Sequence, residues 1–247
     1  MEGRGYGQFC PVAQALEVFG ERWTLLVIRE LLEGSRRFSD IQRGVPLMSR
    51  SMLAQRLASL CDAGVVERAG SGYQLTAAGE ELAPVVIECG NWGVRWARRK
   101  LKNADVDVGL LMWDMRRRID ISAIPDTPVL VEMQFRGAPR GKERFFLHFK
   151  PSGVELCLTN PGHEVALRVS TTPKTMAEVW LGDLPFAAAL RSGLIRIEGA
   201  SKLVRSFPGW LSLSKFAKTP RPQVTATPDP SRRSSTLGDE KQELAER

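Results

Sequence analysis

Gln55 offers a donor and an acceptor side by side, the pattern an adenine edge accepts, and Ser51 offers a hydroxyl that suits several bases. Arg50 and Arg56 flank them. Between positions 36 and 56, five arginines (Arg36, Arg37, Arg43, Arg50, Arg56) stand against one acid, Asp40. Such clustering suits phosphate contacts, which position a protein on a duplex, beside base contacts, which specify a sequence. The bland alternative is the solvated polar face of an ordinary amphipathic helix.

The elements that must position these groups follow from local signals. Ser49 suits an N-cap and Gly64 a left-handed C-terminal stop, so the run predicts a helix from Arg50 to Ala63. Leu53, Leu57 and Leu60 share one stripe, which leaves Ser51 and Gln55 nearly opposite and Arg50 and Arg56 on the flanks. A short helix from about Ser39 to Arg43 precedes it, with Arg36 and Arg37 placed for phosphates. The run from Val65 to Thr76 reads as a short hairpin in which Gly70 and Gly72 are turn residues with positive φ and Arg68 offers one more phosphate contact. Together these make a winged helix-turn-helix whose DNA contacts are Arg36, Arg37, Ser39, Ser49, Arg50, Ser51, Gln55, Arg56 and Arg68.

In context the pattern is similar to the HxlR-type transcriptional regulators over about residues 9–98. The resemblance rests on Cys10-Pro11, the segment Arg22-Trp23-Thr24-Leu25-Leu26, Arg37-Phe38, the run from Ser49 to Leu57, and the Leu75-Thr76-x-x-Gly79 turn, all in order. It implies a cytoplasmic regulator that binds double-stranded DNA as a homodimer, with the helix after Ser49 in the major groove. The hairpin departs from the longer, proline-containing wing of many relatives, which weakens the case for minor-groove contacts. The resemblance also makes Cys10 a candidate redox sensor: a helix N-terminus favours the thiolate. The alternative for Cys10 is a small buried hydrophobe.

After Thr76 a helix of about 23 residues is expected to run to Arg98, with Leu82, Val85, Val86, Cys89, Trp92 and Trp96 on one broad apolar stripe. That stripe is either ordinary core or, as the resemblance implies, a self-dimer face shared with the helix after Cys10. A two-fold dimer predicts half-sites about 10 bp apart, or a multiple.

Length and composition predict two domains and a tail. The chain has 247 residues and a formal charge of +7, yet residues 1–105 hold 14 Lys and Arg against 12 Asp and Glu, so local clustering matters more than bulk charge. No apolar run approaches the roughly 20 residues of a membrane span, and the start MEGRGYGQF lacks an apolar signal core, so a cytoplasmic location is expected. Four scattered cysteines and only His148 and His163 suggest neither a disulfide framework nor a metal site, and no cofactor is expected. Residues 219–247, rich in Pro, Ser and Thr and with basic and acidic residues in balance, are expected to be disordered.

Residues 106–218 read as α+β. Alternation predicts strands at Val129 to Phe135, Phe145 to Phe149, Val154 to Leu158, Val165 to Val169 and Leu194 to Glu198, in a meander-like antiparallel sheet with helices on one face: Pro173 to Leu181, Pro185 to Arg191 and Ala200 to Phe207. This order, ending in the run from Thr172 to Ser214, is similar to the sterol-carrier-protein-like domains, which implies an apolar ligand cavity. Met176, Trp180, Phe186, Leu190, Phe207 and Trp210 are the lining candidates; the alternative is that they fill a core. No phosphate loop, Gly-x-Ser-x-Gly elbow or metal-binding His pair points to an enzyme. The expected function is a transcriptional regulator, a repressor by preference, controlled by a hydrophobic small molecule. The alternative is a hydrophobic-ligand carrier whose winged helix serves only dimerisation or protein contact.

Overall fold

The computed structural model describes residues 5–97 and 101–220; the expected tail lies outside this range apart from its first two residues. Two clusters of buried side chains organise the chain. The first joins Val27, Ile28, Leu31, Ile41, Leu53, Leu57, Leu60, Val66, Leu75 and Val86. The second runs from Val108 to Trp210.

The first cluster is built by α1 (Pro11–Phe19), α2 (Thr24–Leu32), α3 (Phe38–Gly44), α4 (Arg50–Asp62), a hairpin of β1 (Val66–Ala69) and β2 (Gly72–Leu75), α5 (Ala77–Glu80) and α6 (Ala83–Trp92). Ser49 caps α4, its Oγ accepting from the Met52 amide at 3.2 Å, and Gly64 follows the helix with φ +70°. Trp23 turns the chain between α1 and α2 at φ +78°, a conformation that costs a bulky residue energy and therefore needs support from its surroundings. The expected single helix after Thr76 is instead broken: α5 ends, α6 restarts with Pro84 in its first turn, and Gly93–Ala97 continues as a π-helical turn. Proline lacks the amide that a continuous helix would use, so the break falls where the sequence removes a hydrogen bond.

The hairpin turns at Gly70, with φ +56°. Gly72 is needed for a different reason from the one expected. Its φ is not positive, but a Cβ there would lie 2.6 Å from the Arg36 carbonyl oxygen, and the neighbouring Tyr73 amide donates to that oxygen at 2.9 Å. The wing is thereby stitched to the turn that precedes α3.

The second cluster is a five-stranded sheet covered on one face by helices. Its strands are β3 (Val129–Phe135), β4 (Arg144–Lys150), β5 (Gly153–Cys157), β6 (Val165–Thr171) and β7 (Arg196–Gly199), in the order β5-β4-β3-β6-β7. The expected antiparallel meander holds only through β3, β4 and β5. β6 pairs with β3 in parallel, so the sheet is mixed. The connection from β5 crosses to the opposite side of β3, and on the way the His163 ring comes to 4.6 Å from His148 on the outer face. Burial of Leu130, Phe146 and His148 on that face fits this crossing. Val131, Met133, Phe145, Leu147, Phe149, Leu167 and Val169 point the other way, toward α7 (Val108–Arg117), α8 (Pro173–Trp180), α9 (Phe186–Arg191) and the 3-10 turn Phe207–Trp210. A last helix, α10 (Ser201–Ser206), follows β7. Sequence reading missed α7, although Asp107 caps it and Val108, Leu111, Met112 and Met115 carry helical spacing.

Candidate nucleic-acid interface and its joint to the C-terminal half

α4 divides cleanly. Leu53, Leu57 and Leu60 are fully buried, while Arg50, Ser51 and Gln55 are exposed. Met52, Ala54 and Ala58 share the exposed side, giving apolar surface that sequence reasoning did not single out and that suits a thymine methyl. Arg50 lies over the Phe38 ring at 5.1 Å, which ties its stem to α3 and holds its head near the helix start. Arg36 and Arg37 are exposed before α3, and Arg36 Nη1 donates to the Leu31 carbonyl at 2.9 Å. Ser39 is exposed in the first turn of α3, and Arg68 stacks over Tyr73 at 5.4 Å on the hairpin. These residues form one solvent-facing region around α3, α4 and the wing.

Two of the expected contacts, Ser49 and Arg56, are already engaged, as is Arg43 of the arginine cluster. The Ser49 hydroxyl caps α4 and lies 3.1 Å from Ser51 Oγ. Arg56 is mostly buried, ion-paired with Glu21, and donates from Nε to the Arg22 carbonyl at 3.4 Å. A duplex would have to compete with Glu21 for that guanidinium. Arg43 turns aside as well, pairing with Asp40 at 3.3 Å and lying over the Trp113 ring at 5.2 Å.

The matching family is the HxlR-like helix-turn-helix, over residues 18–101. The uncharacterized HTH-type transcriptional regulator YvaP of Bacillus subtilis is 35% identical over 97 residues, a span that makes up 36% of this chain and 90% of that protein. The chain belongs to the HxlR-like family. A solved structure of quinone-bound YodB from B. subtilis is similar at 38% sequence identity and a TM-score of 0.32, covering 34% of this chain and 97% of that one. UbiJ-SCP2, a ubiquinone synthesis protein, is similar at 14% identity and a TM-score of 0.29, covering 36% of this chain and 69% of that one. This HxlR-type chain is a DNA-binding transcriptional regulator. Regulators of its type bind double-stranded DNA and commonly act as dimers.

In this HxlR-type chain the cysteine before α1 sits at the N-cap position, half-buried, and the backbone amides of Ala13 and Val12 hold its thiol below the usual range. Cys61 behaves oppositely, because burial pushes its thiol up. Val12 and Leu16 on α1, Trp92 at the end of α6 and Trp96 in the turn that follows are exposed, Trp96 by 61%. The apolar stripe is therefore divided: Val86 and Leu82 pack in the first cluster, while Trp92 and Trp96 are not covered within one chain.

A buried acid that the sequence reading passed over joins the two halves. Glu30, on α2, is completely buried, and its carboxylate takes Arg29 at 2.8 Å, Ser35 Oγ at 3.2 Å, Trp113 Nε1 at 3.4 Å and the Arg117 guanidinium. Trp113 and Arg117 belong to α7, so the recognition half and the sheet half share one charge cluster. Arg116 and Arg117 also lie over the Trp113 ring, at 4.3 and 5.0 Å. The Arg29-Glu30 pair set between the apolar runs Leu25–Ile28 and Leu31–Leu32 of α2 was the available signal.

The six expected ligand-lining residues behave mainly as core. Met176, Phe207 and Trp210 are essentially inaccessible, and Phe149, Phe207 and Trp210 pack with ring centroids 5.0 to 6.5 Å apart. Phe186 and Leu190 pack on the same cluster. Trp180 alone of the six lines one of the three cavities described here, and that cavity lies at the joint. The largest, about 640 Å³, is on the outer sheet face beside Leu130, His148 and His163. Among the described residues, the aromatic side chains of this set fill the sheet-helix core, the alternative that the sequence left open.

Proposed function

We propose that this regulator is a cytoplasmic homodimeric repressor that inserts α4 into the major groove, reads bases with Ser51 and Gln55, and holds phosphates with Arg36, Arg37, Arg50 and, at lower occupancy, Arg68. The observation that carries the reading is the division of α4, with three leucines buried on one side and Arg50, Ser51 and Gln55 open to solvent on the other. Residues 1–105 serve DNA and self-association, and residues 106–218 carry effector control; no catalytic role is assigned to either. Exposed Val12, Leu16, Trp92 and Trp96 support a dimer built through α1 and the end of α6. The lowered thiol of Cys10, at a helix start beside that face, supports a second input through oxidants or electrophiles.

Fluorescence anisotropy with DNA from upstream of the gene, in a salt series, tests the proposal. Gln55→Ala is expected to weaken specific binding about tenfold, as loss of one bidentate base contact does, with the salt slope unchanged. Arg37→Ala should instead weaken all sequences alike and lower the slope by about one. Equal, weak binding of every sequence by the wild type would sink the proposal and return the carrier reading.

A further inference from the structure

Residues 136–144, which carry the chain from β3 into β4, hold Arg136, Arg140, Lys142 and Arg144 against one acid, Glu143, and all five are exposed. Hydrogen bonds fix the turn. The Phe135 amide donates to the Glu143 carbonyl at 2.8 Å, the Lys142 amide to the Pro139 carbonyl at 2.9 Å, and the Gly141 amide to the Glu143 carboxylate at 2.6 Å. Lys142 pairs with Asp107, and Arg144 lies 3.7 Å from Glu132. Among the described residues no acid pairs with the side chain of Arg136 or Arg140, so two guanidinium groups stand open on an ordered turn.

That turn is a neighbour of the helices that carry the first arginine cluster. Lys142 and Asp107 line a cavity of about 200 Å³ together with Arg43 and Pro46. Pro46 precedes the Ser49 cap of α4 by three residues, so the hairpin flanks the end of α4 whose residues meet base edges when a helix-turn-helix docks. Two bridges hold the placement: Arg43 of α3 lies over Trp113 of α7 at 5.2 Å, and Lys142 pairs at 2.8 Å with Asp107, the cap of α7. Two cationic clusters thus adjoin, five arginines against Asp40 in residues 36–56 and four cations against Glu143 in residues 136–144. Like charges repel over about 10 Å at 0.1 M salt, so neighbouring clusters of one sign favour a polyanion that spans both.

We propose that the β3–β4 hairpin is a second contact with double-stranded DNA, in which Arg136 and Arg140 hold phosphates just outside the base pairs that α4 reads. The contact carries no sequence information; it lengthens the footprint and raises affinity for every duplex alike. It lies beyond residues 18–101, which match the family, and gives the half of the chain assigned to effector control a share in holding DNA. It rests on the α4 reading only for the register of the hairpin on the duplex.

Fluorescence anisotropy of the full chain with a duplex of arbitrary sequence, about 40 bp long, from about 50 to 200 mM salt, tests the contact without any operator. Arg136→Gln/Arg140→Gln is expected to weaken binding at least about tenfold at the lowest salt and to lower the slope of log affinity against log salt by about two. Lys202→Gln/Arg205→Gln removes the same charge from exposed positions on α10 and should keep the wild-type slope. An unchanged slope in the hairpin variant, or the same loss in both variants, would overturn the hairpin contact and leave α4 as the sole reader. A wild type that binds no duplex at any salt would overturn the contact and the α4 reading together.

Discussion

Two residues show how position sets reactivity in this molecule. Cys10 has its thiol lowered by the free amides at the start of α1, whereas Cys61, in the last turn of α4, has its thiol raised by burial. Iodoacetamide at neutral pH should therefore label Cys10 faster than Cys61, read by peptide mass spectrometry of a short time course; equal rates would remove the argument for sensing. Asp114 makes the opposite case among the acids. Its folded-state value near 6 lies above the ordinary 3.8, so the folded protein favours the protonated form, and the associated stability is full below about pH 4 and lost as pH rises through 6. Asp114→Asn should raise the Tm at pH 8, by the equivalent of about 1 kcal/mol after allowance for a side chain one-third open to solvent, and should lose that advantage near pH 4. A variant with the same gain at both pH values would place the effect elsewhere.

At the scale of elements, α2 and α3 approach as closely as they do because Gly44 has no side chain. A Cβ there would land on the Glu30 carboxylate, and Arg29 Nη2 donates to the Gly44 carbonyl at 2.9 Å. Gly44→Ala should cost about 3 kcal/mol by overpacking, measured as a shift in the urea midpoint with an unchanged slope. A midpoint within error of the wild type would show that α3 can slide. This contact involves partners 14 residues apart and leaves no periodic trace, which is why only half of the site was readable beforehand. α4 could be read residue by residue, since its cap, leucine stripe and glycine stop are local signals. The strands were readable from alternation, but the parallel partnership of β6 with β3 depends on a crossing that alternation does not encode. α7 carried a cap and a stripe of its own and was overlooked, and with it Trp113 and Arg117. Arg56 looked available because ion pairing with Glu21 on a different segment has no signature in the helix itself.

At the scale of the whole molecule, the charge cluster at Glu30 is a buried contact between the two halves. Removing one partner of a buried ion pair strands the other, at a cost of roughly 3–5 kcal/mol. Glu30→Gln should therefore lower the Tm and divide calorimetric unfolding into two transitions, one for each buried cluster, where a single transition is expected of the wild type. A single transition at the wild-type temperature would deny the cluster its role as the joint.

The mixed sheet has a consequence for how copies of this chain behave at high concentration. β5 and β7, the outermost strands, are five and four residues long, and Glu155 on β5 is exposed and paired with Lys150. Short, charged rims present few free amides to a stranger's backbone, so the sheet resists growing sideways into a shared ribbon. Crowding should then leave this half of the molecule a poor seed for fibrils.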